Sequence, residues 1–420
     1  MRKDTKYIVI GNGIAGISAI EGIRNRDTQG NITVISQEPF PAYSPTSLPY
    51  LIEGKITEDK IFIRNKEFYK KNRARLILNK RALGINPFNK EVFLSGGKNL
   101  TYDSLLIATG AEPIIPNLYG LSRCDYFVLK TLKDARRLKN EVLVNGHVVM
   151  SGGGLIGIEL AYILRSQGFE VTVIEEKERI LSFYFDDEAE KIIRDIYRKN
   201  GVNFILNSKL VGGERKKENR LILKLQNGNK IRTDLFIISV GMKPAVDFLK
   251  NSNIRVNKGI IVDRMMRTNY NNIFAAGDVT EARDFFSKKK VLSHIIPSAI
   301  YQGRIAGLNM AGGNETYGGN ISMNIFSFFG NEALSIGDVF VNGRNIKIVK
   351  NVQTSKNRFY KLVLKDNCLI GAVLINVNIK PGILLSLIKR RIDLSPWLES
   401  VGTGFFNFGK VFQKAIGKMD

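Results

Sequence analysis

Apolar and polar positions follow one rhythm twice in this chain. The run Tyr7-Ile8-Val9-Ile10 closes on Gly11-Asn-Gly13-Ile-Ala-Gly16. The run Val148-Val149-Met150 leads to Gly152-Gly-Gly154-Leu-Ile-Gly157, with all three glycines at one constant offset. Short continuous apolar runs bounded by turn residues read as strands buried on both faces. The pattern predicts strands at Lys6–Ile10, Ile32–Ser36, Ser104–Ala108 and Leu235–Val240, a helix from near Ile14 and another over Ser298–Met310. Alternating stretches at Phe359–Leu364 and Leu369–Ile375 predict an antiparallel sheet near the C-terminus.

Each strand–glycine–helix unit has the chemistry of a dinucleotide cradle. The first glycine makes the turn, the second lets backbone approach phosphate, and the third allows helix and strand to pack closely. The helix N-terminus then offers its N–H groups to a pyrophosphate. In the first unit these positions are Gly11, Gly13, Ala15 and Gly16; in the second they are Gly152, Gly154, Leu155, Ile156 and Gly157. A carboxylate closing the next strand accepts from ribose hydroxyls. Glu175 ends Val171-Thr-Val-Ile-Glu175 and favours NAD(H), because a 2′-phosphate would be repelled. Glu176 adds to that bias, and Lys177 and Arg179 oppose it. In the first unit the ribose residue is Gln37 or Glu38. Two fingerprints on one chain indicate two dinucleotides, hence electron transfer between a nicotinamide and a flavin.

At 420 residues the chain is long enough for about two or three domains. Met1–Lys6 runs directly into the first strand, leaving no room for a signal peptide. No apolar run reaches the length of a membrane span, so the expectation is a soluble cytoplasmic protein. The two cysteines, Cys124 and Cys368, form no CxxC pair. This excludes iron–sulfur clusters, zinc ribbons and a local redox disulfide on the chain, and both cysteines are expected as small buried groups. His147 and His294 are too few for a metal site, and none is expected. The net charge of +24 suits an acidic partner. It is widely spread, with short clusters such as Lys288-Lys-Lys290, as on the solvated surface of a generally basic protein.

Taken together, both fingerprints, Ala108-Thr109-Gly110-Ala111, Phe274-Ala-Ala-Gly277-Asp278 and Gln302-Gly-Arg-Ile-Ala-Gly307 resemble the pyridine nucleotide-disulfide oxidoreductase superfamily. The resemblance implies an α/β fold with two Rossmann-like nucleotide-binding domains, the second inserted in the first, and a C-terminal α+β interface domain. Residues 1–119 and 243–321 then form the FAD-binding domain, 120–242 the NAD-binding domain and 322–420 the interface domain. By the same resemblance Thr109 and Gly110 line the FAD pyrophosphate and Asp278 meets the ribitol hydroxyls, with Gly277 allowing a tight turn and Asp278 expected to open a helix. Glu159 and Gly241 lie on the NAD side.

The loop Tyr43-Ser-Pro-Thr46-Ser-Leu-Pro-Tyr50 resembles that of coenzyme A disulfide reductases and NADH oxidases, which carry one redox cysteine where this chain has Thr46. A threonine hydroxyl forms neither a mixed disulfide nor a sulfenate. The loop is also similar to nitrite and rubredoxin reductase flavoproteins, and to flavoprotein subunits of multisubunit oxidoreductases such as that of phenylglyoxylate:acceptor oxidoreductase. Tyr43, Thr46 and Tyr50 are expected to line the flavin pocket, with no catalytic residue required beyond the flavin. Ser327-Phe-Phe-Gly330 and Leu384-Leu-Ser-Leu-Ile388 resemble the interface domain, which in the family makes a dimer. A basic tail, with Phe405, Phe408, Phe412 and Ile416 at helical spacing, is expected to pack on that domain or to grip a partner or a membrane surface.

The expected function is hydride transfer between NADH and FAD, with electrons exchanged with an acidic ferredoxin or iron–sulfur subunit. The protein would act as a homodimer or in a hetero-oligomeric complex. The rivals are a stand-alone NADH oxidase or sulfur/CoA-disulfide-type reductase and, from another class, a basic flavoprotein resembling apoptosis-inducing factors. Nucleic acid is not the expected partner.

Overall fold

The computed structural model describes residues 6–141, 146–216 and 220–397. The tail positions Phe405, Phe408, Phe412 and Ile416 lie outside the described residues. The described residues divide into two compact units. One lies within Met1–Ile114, Lys130–Ala135 and Met242–Asn320; the other lies within Ile115–Leu129, Arg136–Gly241 and Ile321–Asp420. The C-terminal sheet therefore packs in the same unit as the second fingerprint.

The first unit is built on a parallel sheet in the order Ile273–Ala275, Ser104–Ile107, Lys6–Ile10, Asn31–Ile35 and Ala74–Ile77. Val9, Val34, Leu105, Leu106 and Ala275 have no exposed surface, as a sheet covered on both faces requires. The first fingerprint opens at the C-terminal end of Lys6–Ile10, where the chain goes to one neighbour by Asn31–Ile35 and to the other by Ser104–Ile107. That switch in strand order leaves a crevice at the strand ends, the usual ligand position in such sheets.

Helices Ile14–Arg24 and Ile296–Met310 cover this sheet together, and they meet through backbone. A Cβ on Gly303 would collide with the carbonyl oxygen of Ala15, and one on Gly307 with that of Ala19. Gly22 faces the carbonyl of Arg304 in the same way. Below the first helix, Asp27 accepts from the Tyr7 hydroxyl at 2.8 Å and from the N–H groups of Gln29 and Gly30 at 2.9 Å each. Burial alone would raise its carboxyl pKa. The backbone N–H groups of Gly30 and Gln29, with Tyr7 and Arg24, more than offset that and hold it below the ordinary value.

The second unit repeats the design with a parallel sheet in the order Val202–Ile205, Glu170–Ile174, His147–Ser151 and Leu235–Ile238. His147 is structural: its ring nitrogens lie 2.8 Å from Arg232 O and 2.9 Å from Thr172 Oγ1. An antiparallel five-stranded sheet follows in the order Met323–Phe328, Asn331–Gly337, Cys368–Ile375, Arg358–Lys365 and Ile346–Gln353. Helix Pro381–Arg390 packs on its central strands.

Neither cysteine is buried: Cys124 is exposed and Cys368 is half-buried. The expectation of buried thiols fails for local reasons. Cys124 sits in a short turn closed by Ser122 and Asp125, with its side chain outward. The Cys368 thiol donates to Arg391 O at 3.2 Å. Among the described residues no helix is long and apolar enough to cross a membrane, and no cluster of candidate ligands could hold a metal ion.

The helix contact sets a testable difference between glycines. Gly307→Ala should cost about 1–3 kcal/mol, because the methyl group has nowhere to go. Gly382→Ala, in open space near the start of helix Pro381–Arg390, should be neutral or stabilising by up to about 1 kcal/mol. Thermal denaturation of the two variants checks this, and equal melting temperatures would contradict it.

Candidate functional site

The two glycine turns are nearly superimposable in their logic. Gly11 and Gly152 both take positive φ, 114° and 110°. Their N–H groups bond the end of the neighbouring strand: Gly11 N to Ile35 O at 2.9 Å, and Gly152 N to Ile174 O at 2.8 Å. A Cβ on Gly11 would strike the carbonyl of Ala108; one on Gly152 would strike that of Ser239. A Cβ on Gly16 would strike Gly11 O, and one on Gly157 would strike Gly152 O. The middle glycines behave differently. A Cβ on Gly13 or on Gly154 meets nothing within 4 Å. The fold needs the outer glycines for its own packing, whereas the middle ones face open space.

That space lies against two bare helix ends. Helices Ile14–Arg24 and Leu155–Ser166 begin straight after Gly13 and Gly154, with no side-chain cap and no acidic residue in the first turn. The first-turn N–H groups, those of Ala15 and Gly16 and of Ile156 and Gly157 among them, leave a positive dipole end with no side-chain cap and no acidic residue of the helix's own first turn on it. An anionic pyrophosphate fits both turns.

Around the first turn, Gly110 (φ 70°) and Gly277 (φ 83°) bend two further strand ends toward it. The Thr109 hydroxyl donates to Ala245 O at 2.9 Å, and Ala245 N donates to Gly110 O at 3.0 Å. Asp278 is half-buried and its carboxylate has no hydrogen-bond or ion-pair partner among the described residues. A partly buried carboxylate without a protein partner keeps its lone pairs available to accept from polyol hydroxyls. Gln302, buried in helix Ile296–Met310, fixes the turn before it by accepting from Gly277 N at 2.8 Å and from the Thr280 hydroxyl at 3.1 Å. Gln302 belonged to a recognisable motif, but its role was not readable without this contact.

The loop that follows the second strand has its own network. The Tyr43 hydroxyl donates to the Glu38 carboxylate at 2.8 Å and accepts from Leu132 N at 3.0 Å. Burial raises the Glu38 carboxyl pKa, with the Tyr43 hydroxyl opposing it, and burial raises the Tyr43 hydroxyl too. Gln37 is exposed. Ser36, not Gln37 or Glu38, stands in strand register with Glu175: Ser36 N bonds Ile77 O as Glu175 N bonds Ile205 O, both at 2.9 Å. Thr46 is exposed, 2.9 Å from the Ser44 hydroxyl, and Tyr50 is 39% exposed. No sequence signal singles out Asn12 and Tyr69. The Tyr69 hydroxyl donates to Asn12 Oδ1 at 2.8 Å and accepts from Ala42 N at 3.2 Å, tying the glycine turn to this loop.

In the second unit Glu175 does that tying itself. It accepts from Gly153 N at 2.7 Å and from Lys177 N at 3.0 Å. A carboxylate has about four acceptor sites, so two remain for ribose hydroxyls. Arg179 is committed elsewhere, to Phe185 O at 3.2 Å and Asp187 at 3.1 Å. The Lys177 ammonium sits over the Phe183 ring. Glu159 is half-buried one turn along the helix, and Gly241 takes a φ of 129° after the strand Leu235–Ile238.

Comparison with known proteins agrees with this geometry. Residues 5–303 match the pyridine nucleotide-disulphide oxidoreductase family, and residues 323–392 match the rubredoxin NAD+ reductase C-terminal domain. The chain is 34% identical over 395 residues to the NADH-dependent phenylglyoxylate dehydrogenase subunit epsilon of Aromatoleum evansii, covering 93% of each chain. It is 30% identical over 402 residues to the NADH-rubredoxin oxidoreductase of Clostridium acetobutylicum, covering 96% of this chain and 98% of that one. Among solved structures it is similar to putidaredoxin reductase in its covalent complex with putidaredoxin, with a TM-score of 0.87 at 20% identity over 99% of this chain and 98% of that one. It is also similar to an NAD-dependent persulfide reductase from A. fulgidus, with a TM-score of 0.84 at 25% identity over 94% and 79% of the two chains.

The open space at Gly13 makes a clean test. Gly13→Ala should fold with an unchanged melting temperature when both proteins are stripped of ligand, yet retain FAD much less well. Absorbance of the released flavin measures the retention. Full FAD content in the variant would mean that no ligand backbone approaches Gly13.

Proposed function

The chain belongs to the pyridine nucleotide-disulphide oxidoreductase family, and on that premise we propose that it passes electrons from NADH to an acidic iron–sulfur protein through its flavin, as a subunit of a larger oxidoreductase. It is an FAD-dependent NAD(P)H oxidoreductase. Gly11, Gly13, Ala15 and Gly16, with Thr109, Gly110, Gly277 and Asp278, hold FAD; Gln37 or Glu38 takes its ribose. Gly152, Gly154, Leu155, Ile156, Gly157, Glu159, Glu175 and Gly241 hold NAD(H). The observation that carries this reading is the pair of middle glycines facing open space at uncapped helix ends.

Bound flavin supplies a two-electron acceptor for hydride and a one-electron donor to a metal cluster. The protein's part is position and electrostatics. Uncapped N–H groups bind the two pyrophosphates, Asp278 orients the flavin sugar chain, and Glu175 orients the nicotinamide nucleotide. Thr46 replaces the cysteine of related disulfide reductases, so this loop contributes polarity in place of a thiol relay. NADH is oxidised to NAD+, and its two electrons leave for the acceptor one at a time. The names of the relatives, an NADH-dependent dehydrogenase subunit and a rubredoxin oxidoreductase, support a protein acceptor. The net charge of +24 supports an acidic one.

Two measurements test the reading. In stopped-flow experiments NADH should bleach the flavin faster than NADPH, and Glu175→Ala should narrow the difference; equal rates in the unmodified protein would contradict the assignment of Glu175. Reduction of an acidic ferredoxin should slow several-fold as salt rises from low to physiological strength, while a small neutral dye reacts at an unchanged rate. If no ferredoxin reacts and oxygen does, the stand-alone oxidase replaces this proposal. By family resemblance the C-terminal sheet is the site of self-association, and sedimentation of the purified protein distinguishes a homodimer from a monomer awaiting other subunits.

A further inference from the structure

Loop 176–186 of the second unit connects two things that are far apart in sequence. One end of it holds the second glycine turn. Leu181, at a left-handed φ of 51°, donates its N–H to Gly153 O at 2.9 Å. The Ile180 side chain fills the space beside Gly153, with Cγ2 only 2.8 Å from where a Cβ would stand. Ile180 N in turn donates to the fully buried Glu190 at 3.2 Å.

The other end is fastened to the C-terminal sheet. The Lys361 ammonium pairs with Asp186 at 2.9 Å and also donates to Val339 O at 3.1 Å. The two side chains are only 12% and 21% exposed. With its other oxygen Asp186 caps helix Asp187–Lys199 by accepting from Ala189 N at 3.1 Å. The neighbouring Phe185 ring meets Phe326 of the same sheet edge-on at 6.0 Å. The main chain between the ends is closed by Phe185 N to Leu181 O at 3.1 Å and by Arg179 to Phe185 O. There is thus an unbroken path of hydrogen bonds and packing from Lys361 to the Gly153 peptide.

We propose that Lys361 is a positioning residue for the nicotinamide nucleotide: by anchoring Asp186 it holds loop 176–186 against the second glycine turn, so the C-terminal sheet sets NAD(H) affinity. This rests on the assignment of the second fingerprint to NAD(H). A half-buried, doubly bonded ion pair can carry such a constraint, because breaking it leaves a poorly solvated charge. A second link between the same elements provides the control. Lys350 pairs with Glu188 at 2.8 Å, but the two side chains are 42% and 52% exposed, and exposed pairs contribute little.

The test uses the FAD-loaded protein and titration calorimetry with NAD+. Lys361→Met should weaken NAD+ binding about five- to tenfold, in the range of ordinary coupling between sites. The KM for NADH with a neutral dye should rise in parallel, while kcat and FAD content stay within about twofold of the unmodified protein. Lys361→Arg should restore binding, and Lys350→Met should bind normally. Asp186→Asn keeps the helix cap but loses the ion pair, and should repeat the effect even if Lys361→Met does not fold. Hydrogen exchange should show the Leu181 amide opening faster in Lys361→Met and Asp186→Asn. Normal NAD+ affinity in both variants, or equal weakening in Lys350→Met, overturns the proposal. If the unmodified protein binds no NAD+, the assignment of the fingerprint fails; unchanged Leu181 exchange in the variants would then overturn the mechanical link as well.

Discussion

Everything around the first glycine turn depends on two helices touching backbone to backbone. Gly303 and Gly307 on helix Ile296–Met310 leave room for the carbonyls of Ala15 and Ala19 on helix Ile14–Arg24. No side chain intervenes, so the two helices hold a fixed separation that a larger residue would change. The first helix presents its uncapped N-terminus to the ligand crevice. The second carries Gln302, which fixes the Gly277 turn and therefore the position of Asp278. The Gly13 turn and the Gly277 turn are thus both referenced to one close contact between backbones.

The two cradles share their glycine geometry and differ in how the turn is braced. In the second unit the carboxylate that closes the strand reaches back to Gly153 N, so the group that would meet the ribose also holds the turn. In the first unit Ser36 occupies that register. The bracing passes to Asn12 and Tyr69, and Glu38 turns to Tyr43. The consequence is electrostatic. The second turn carries the Glu175 carboxylate on its own backbone N–H, whereas the Glu38 carboxylate of the first unit is engaged by the Tyr43 phenol.

The loop at 43–50 holds Thr46 and no cysteine. A loop without a thiol offers no relay for electrons within the chain, and an acceptor outside it suits that chemistry. A strongly basic surface and relatives that act with electron-transfer partners are consistent with that outcome. Meanwhile the C-terminal sheet packs in the same compact unit as the nucleotide-binding sheet of the second fingerprint, joined by Lys361 and by the ring series Phe185, Phe326 and Phe328.

The sequence alone determined the strands that open the two fingerprints, the two glycine turns and the helices that follow them; after Gly277 it suggested a helix opening at Asp278, where the structure makes a turn into strand Thr280–Arg283. These depend on local patterns: an apolar run of strand length, glycines whose backbone must take positive φ or approach another chain, and helical periodicity after them. Strand Lys6–Ile10 and helix Ile296–Met310 lie where the pattern placed them, to within two residues. Tertiary structure alone decided which side chains serve the turns. Ser36 takes the register of Glu175 because the first unit has a longer path from glycine to strand end, and Glu38 is spent on Tyr43 because Leu132 comes in from far along the chain. Gln302, Tyr69 and Lys361 act on residues distant in sequence, and Cys124 is exposed because its turn is closed by its neighbours. Local periodicity encodes which element forms and where it bends. The choice of partner for a polar group is settled only when remote segments are brought to hydrogen-bonding distance.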